Sequence, residues 1–112
     1  MTPELIELSK QAAEVLGIEP KEIYPSHFCF ADKTTHGSST TWLAEDSGRC
    51  AEIANSRMLN TRHYTDAVMV EYVDESLIAY RRTVYLSSCH GDRNAAWRVA
   101  VLETVIEQGR MG

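Results

Sequence analysis

The chain has 112 residues, of which 44% are hydrophobic and 24% are charged, and its formal net charge at pH 7 is −5. This length and composition are typical of one soluble globular domain and exclude collagen-like, low-complexity and strongly disordered classes. The even, mildly acidic charge argues against a nucleic-acid-binding protein, which needs a basic surface to displace the counterions of phosphates.

No apolar run in the sequence reaches the length of a membrane span, and no basic and apolar leader opens it. We therefore expect a single domain over residues 1–112, located in the cytoplasm and without membrane contact. The three cysteines, Cys29, Cys50 and Cys89, form no C-x-x-C pair. Their number and spacing predict reduced, buried thiols rather than a disulfide framework.

Apolar residues recur at helical spacing near the N-terminus and predict an amphipathic helix over residues 3–16. Thr2 suits the N-cap of this helix, and Gly17 suits the left-handed position after its end. The apolar face consists of Leu5, Leu8, Ala12, Val15 and Leu16.

The next segment changes from helical to extended patterning. Two prolines bound residues 20–25 and predict an extended connection there, because proline disfavours helix in the residue before it. The alternation in His27–Phe30 indicates a half-buried strand. Turn-forming residues at 34–41 then predict a hairpin connection into a short strand through residues 42–43.

A second helix is predicted to begin at Asp46 or Ser47, either of which suits an N-cap, and to end near Asn60. Two strands rich in Val, Ile and Tyr follow, at Ala67–Val73 and 77–85. A short polar turn joins them, so they are predicted to form an antiparallel hairpin.

The last helix is predicted over residues 93–108, with Gly109 as the residue after its end. Its expected core stripe consists of Ala95, Val99, Leu102, Val105 and Ile106. The resulting order of elements is α-β-β-α-β-β-α. This order predicts an α+β domain in which three helices pack on an antiparallel sheet.

Three features of the chain from Trp42 onward carry a family resemblance: a helix opening near residues 44–48, a hairpin rich in Tyr and Val, and the polar turn His90-Gly91-Asp92 before the last helix. In these features the segment resembles small bacteriophage and prophage proteins with a phage ABA-sandwich domain. The N-terminal helix and the strand around Phe28 lie outside the resemblance. It implies an α+β fold and a phage or prophage setting, but no catalytic motif.

A metal site is one candidate for chemistry. His27 and Cys29 stand two residues apart, so in a strand they share a face, and Cys89 and His90 offer two further ligand types. Neighbouring strands would bring the two pairs together. Against zinc, Cys89 and His90 are adjacent, and their side chains diverge in extended backbone.

Residues 87–92 also contain the residue types of acyl transfer, namely the serines Ser87 and Ser88, the thiol of Cys89, and the partners His90 and Asp92. No nucleophile-elbow motif accompanies them. A helix-capping turn explains the same residues more simply. Gly48 and Gly91 near the starts of the second and last helices, with Arg49 and Arg93 one and two residues later, are a weaker signal for phosphate binding.

The last helix carries apolar residues on a second face. Trp97 and Val101 lie well away from its expected core stripe at 100° per residue. Such a helix is either sandwiched inside its own fold or buried against another molecule. The second alternative predicts self-association through Trp97, Val101 and Thr104, whereas in the first Trp97 covers the Tyr-rich hairpin.

Arg81 and Arg82 are neighbours on the second hairpin strand and must point to opposite faces of the sheet. One of them is therefore expected on an exposed sheet face or paired beneath a helix. An exposed face with an arginine, Tyr72 and Tyr85 would form a recognition surface, whereas a solvated sheet face is the alternative.

Together these patterns predict a non-catalytic module that binds another protein, most simply as a homodimer, without a cofactor. Trp97, Val101, Thr104, Arg81 and Arg82 are the expected interface residues. In a phage setting the target would be a host or defence protein. The competing hypothesis is a small metal-binding protein or enzyme that uses its His and Cys residues, and it requires those side chains to converge.

Overall fold

The structure is a computed structural model, and it describes residues 3–17, 20–24, 27–30, 43–73 and 79–111. The α-helices are α1 (Pro3–Val15), α2 (Ser47–Ser56) and α3 (Arg93–Met111). The strands are β1 (Pro20–Tyr24), β2 (His27–Phe30), β3 (Asn60–His63), β4 (Ala67–Val73) and β5 (Ala79–Tyr85), and short 3₁₀ helices cover Leu43–Glu45 and Leu86–Cys89. The predicted α+β class with antiparallel sheet is confirmed.

The strands form two antiparallel sheets. β1 pairs with β2, and β4 lies between β3 and β5 in a three-stranded sheet. The segment predicted as an extended connection is therefore a paired strand, β1. The second helix ends at Ser56 rather than near Asn60 as predicted, and the amide of Leu59 donates back to the carbonyl of Ala54 at 2.8 Å. The strand β3, which begins at Asn60, was not predicted.

Helix α3 lies at the centre of the molecule. It packs against β4 and β5 on one side and against α1, α2 and the 3₁₀ helix Leu43–Glu45 on the other. Three small residues of α3 at four-residue spacing are fully buried: Ala96, Ala100 and Thr104. They share a helix side with Trp97, whose indole N–H donates a hydrogen bond to Thr61 of β3. α1 and α2 thus pack mainly on α3 rather than on the sheet.

The core of α3 is wider than the predicted stripe. Leu102, Val105 and Ile106 are buried as expected, whereas Ala95 and Val99 are only half-buried. The predicted stripe covers one side of α3, whereas the structure buries two, as in the alternative in which the helix is sandwiched inside its own fold. The additional buried residues are Ala96, Ala100, Val101 and Thr104.

The end of α1 and the start of α2 have the capping residues that the sequence predicts. Gly17 has a φ of +72°, the left-handed conformation expected after α1. Asp46 is the N-cap of α2, and its Oδ1 accepts a hydrogen bond from the amide of Arg49 at 3.0 Å. The predicted strand through residues 42–43 is wrong at Leu43, which begins a 3₁₀ helix and is fully buried against the helices.

Gly109 lies inside α3, not after its end as predicted. A Cβ atom added at this glycine would stand 2.7 Å from Cγ2 and 2.8 Å from Cγ1 of Val15. Glycine at this position therefore serves the close approach of α1 and α3 rather than helix termination.

The Thr2 N-cap, the turn at 34–41 and the turn between β4 and β5 lie outside the described residues. None of the helices in the described ranges combines the length and apolar character that crossing a membrane requires.

Substitution of Gly109 by Ala is expected to lower the free energy of unfolding by about 1 kcal/mol, because overpacking against Val15 outweighs the gain in helix propensity. Gly48→Ala is the matched control. Its added Cβ meets only Asp46 Oδ1, at 3.6 Å, so stability should rise by about 0.5 kcal/mol or more. Urea unfolding of both variants measures the difference.

A Val15→Ala background removes the clashing atoms, so Gly109→Ala should no longer be destabilising there. Equal stabilisation by both glycine substitutions in the original chain would contradict the close α1–α3 contact.

Candidate functional site

The two adjacent arginines of β5 occupy opposite faces of the sheet. Arg82 lies on the side of α3, where its Nε stands 2.6 Å from Glu103 Oε2. Arg81 lies on the other face, where its Nε donates to Glu71 Oε2 at 2.9 Å. One arginine is thus paired beneath a helix, and the other stands on the sheet face over which no described helix packs.

Glu71 is the centre of this open face. It lies on the middle strand β4, directly opposite Arg81 of β5, and its side chain is only 8% exposed. Arg62 of β3 approaches the same carboxylate, with its Nε 3.8 Å from Oε1. We call the surface formed by Arg62, Glu71 and Arg81 the arginine face.

Within the arginine face, Glu71 contacts each guanidinium group only at its Nε edge, and the remaining N–H groups of Arg62 and Arg81 are exposed to solvent. The side chains of Arg62 and Arg81 are each 65% exposed. Within the described ranges, neither has another hydrogen-bond or ion-pair partner. Two cations against one buried anion leave a local charge of +1, and α3 packs only on the opposite face of the sheet.

The exposed side chains near the arginine face differ in part from those predicted. Tyr85 pairs across the strands with Ala67 and lies on this face, 57% exposed. Tyr72 lies on the α3 side of the sheet instead, and its ring centroid is 6.4 Å from that of Tyr80. The pleat separates Tyr72 from Glu71, since neighbouring strand residues point to opposite faces.

A cleft of about 590 Å³ lies between the end of α2 and the end of β4. We call it the Met58 cleft. Met58 is 82% exposed and has a φ of +57°, a conformation that favours glycine. Gln108 also lines the cleft, and its carboxamide oxygen is buried without a hydrogen-bond partner among the described residues. The other lining residues are Ala54, Asn55, Arg57, Leu59, Asn60, Tyr72 and Val73.

The predicted interface residues of α3 are placed differently from one another. Val101 and Thr104 are fully buried inside this chain, so they are not on its surface. Trp97 is half-buried, and its Nε1 donates to Thr61 Oγ1 at 3.0 Å. The second apolar side of α3 is therefore covered by the chain's own elements, which is the alternative that needs no partner.

The residues of the metal and enzyme hypothesis lie partly in a second groove, of about 700 Å³, between α1 and the start of α3. Cys89, His90 and Asp92 line it. Asp92 caps α3 by accepting a hydrogen bond from the amide of Ala95 at 3.1 Å, and the hydroxyl of Ser88 donates to the carbonyl of Tyr85 at 2.7 Å. These contacts are those of a capping turn.

No cluster of three or more His, Cys, Asp or Glu side chains suited to a metal ion occurs among the described residues. For His27 and Cys29 the structure describes the strand but not the side chains, so their convergence with Cys89 and His90 stays a prediction. Arg93, two residues after Gly91, is the arginine of the weaker phosphate-binding signal. Its guanidinium group donates to the carbonyl of Tyr64 at 2.7 Å and so stabilises the turn between β3 and β4.

Cys50 and Cys89 differ in environment. Cys50 is fully buried, and its thiol donates to the carbonyl of Leu43 at 3.3 Å. Burial raises the pKa of this thiol to about 12, against an opposing effect of the Arg98 charge. Cys50 is therefore a neutral core thiol, as predicted, whereas Cys89 is only half-buried.

No family model, curated protein or solved structure matches this chain. The resemblance to phage ABA-sandwich proteins accordingly stays a prediction.

The sequence analysis missed Glu71 and Arg62. The available signal was the single acidic residue inside the Val-rich strand β4, since an ionised side chain at the centre of a sheet needs a partner. Finding that partner required the register of β3, which the polar sequence Asn60–His63 did not reveal.

At pH 8, maleimide is expected to modify Cys89 in the folded protein and to leave Cys50 unmodified, because the thiolate is the reactive form and burial suppresses it. Peptide mass spectrometry after a timed reaction measures both sites. In 6 M guanidinium chloride the two should react at similar rates. Rapid modification of Cys50 in the folded protein would contradict its buried placement.

Proposed function

We propose that this chain is a protein-binding module without a catalytic role, and that its arginine face binds an acidic segment of a partner protein. One observation carries the proposal. A buried carboxylate, Glu71, holds Arg62 and Arg81 from two different strands on a sheet face that no described helix covers.

Guanidinium forks suit carboxylate ligands. An arginine can donate two parallel hydrogen bonds to one carboxylate, and charge-assisted bonds are stronger than neutral ones. Fixing the side chains before binding reduces the conformational entropy lost when the complex forms. Glu71 supplies this fixation to Arg81 through a 2.9 Å hydrogen bond and orients Arg62 electrostatically.

The charge distribution favours a protein segment over nucleic acid. The whole chain carries −5, so a long polyanion such as nucleic acid is repelled by most of the surface it would cover, whereas a short acidic segment can stay on the arginine face, which presents a local excess of one positive charge. Such a site suits a short acidic segment. In the predicted phage setting, that segment would belong to a host or defence protein.

A different protein suits the arginine face better than a second copy of this chain. A symmetric dimer places the same patch against itself, so each arginine pair would face another pair of like charge. The buried Glu71 is too enclosed to bridge them. The predicted homodimer also loses Val101 and Thr104 as contacts, because both lie in the core.

The test is an amide NMR titration with hexaglutamate as the probe. We expect shifts concentrated on β3, β4 and β5, and a dissociation constant raised about tenfold by Arg81→Ala, because one charge-assisted contact is lost. Arg82→Ala is the control, with the same charge change on the opposite face, and should leave the dissociation constant within about twofold.

The amide spectrum of each variant shows whether it remains folded. Arg81→Lys retains the charge without the fork and should weaken binding in part. Equal effects of Arg81→Ala and Arg82→Ala, or shifts centred away from the sheet, would overturn the proposal.

A further inference from the structure

The Met58 cleft combines features that the fold alone does not require. Met58 follows the end of α2, where its amide donates to the carbonyl of Asn55 at 3.2 Å and its left-handed backbone would suit glycine. The chain places a large apolar side chain there and leaves it 82% exposed. Val73, across the cleft, is 53% exposed.

Gln108 adds a polar feature to the same cleft. Its carboxamide oxygen is buried and accepts no hydrogen bond within the described part of the chain. A buried acceptor without a donor is unfavourable, so a rotation of the carboxamide that turns this oxygen into the cleft would be favoured by a ligand that brings an N–H or O–H group.

The cleft continues the arginine face. Along β4, Glu71 and Val73 lie on the same side of the sheet, and two residues of extended chain span about 6.7 Å. Asn60 of β3 pairs with Glu71 and also lines the cleft. One extended segment lying along this side of the sheet can therefore reach the arginines and the Asn60 and Val73 side of the cleft, and at the end of β4 it can turn toward Gln108 of α3.

We infer that the Met58 cleft binds an apolar side chain of the same acidic segment that the arginine face binds, and that the Gln108 carboxamide turns into the cleft to accept a backbone N–H of that segment. This inference rests on the proposed function. Charge supports the choice of occupant, because Arg57 lines the cleft and has no ion-pair partner in the described ranges. The segment is thus acidic and extended, with an apolar residue about two positions from a carboxylate.

The probe is a pair of peptides matched in charge, Leu-Ala-Glu-Glu-Glu-Ala-Leu and Ala-Ala-Glu-Glu-Glu-Ala-Ala, both acetylated and amidated. A leucine at each end makes the design independent of the direction in which the peptide lies. We expect the leucine peptide to bind about tenfold more tightly in calorimetric titrations, because its side chain leaves water in the cleft.

Two variants test whether the tighter binding of the leucine peptide comes from the Met58 cleft. Met58→Gly removes the apolar wall while suiting the left-handed backbone, so the preference for leucine should fall to about twofold or less while the fold is retained. Tyr64→Ala removes another exposed apolar side chain, at the opposite end of β4, and should preserve the preference.

Gln108→Met removes the acceptor and keeps the side-chain length. It should weaken binding of the leucine peptide about fivefold without lowering the midpoint of urea unfolding of the free chain, because the unpaired oxygen is gone.

Equal affinity of the two peptides would overturn the inference and leave the proposed function standing, as long as Arg81→Ala still weakens both. Binding that is indifferent to Arg81→Ala would overturn the proposed function itself. A dimer in sedimentation velocity that dissociates when the leucine peptide binds would assign the cleft to a second copy of the chain and would also overturn the inference.

Discussion

Burial of α3 on two sides is the constraint on which the rest of the described structure depends. The small residues Ala96, Ala100 and Thr104 face the sheet side, while Leu102 and Val105 are buried with the elements that pack on the other side. A helix enclosed in this way has little room for polar side chains in its middle. Thr104 is accommodated because its hydroxyl donates to the carbonyl of Ala100 at 2.7 Å.

This arrangement determines which surface of the sheet remains open. α3 covers one face of β4 and β5, and α1 and α2 pack on the far side of α3. Among the described residues, no helix packs on the other face of the sheet, so the charged group at the centre of that face needs partners from neighbouring strands. Glu71 satisfies this requirement through its flanking arginines, and the same interaction fixes the guanidinium groups that we propose bind a partner.

Sequence patterns correctly predicted those helices and strands whose formation depends on residues within the element or next to it. The apolar periodicity of α1 with Gly17, the Asp46 cap of α2 and the Val-rich strand β4 all follow from neighbouring residues. The strand β3 could not be predicted in this way, because its four residues are polar and its stability comes from pairing with β4. Propensity says little about such an edge strand.

The candidate site was harder to predict than the fold, because it depends on register. Arg81 and Arg82 were recognisable as residues on opposite faces, but their partners come from β4 and α3. The two faces of α3 were also misjudged, since a helical wheel shows that a second apolar side exists without showing what covers it. The prediction that Gly109 follows the helix end was wrong, because the contact that explains this glycine is with Val15, which is far away in the sequence.

The central claim is that Glu71 holds the arginine face in place before any partner binds. Exchange of the arginine Nε–H protons with water, measured by nitrogen-15 NMR, tests it most directly, with Arg57 as the internal reference. The structure predicts that Arg81 Nε–H exchanges about tenfold more slowly than that of Arg57, because it is hydrogen-bonded to a buried carboxylate. Equal exchange rates for the two arginines would contradict it.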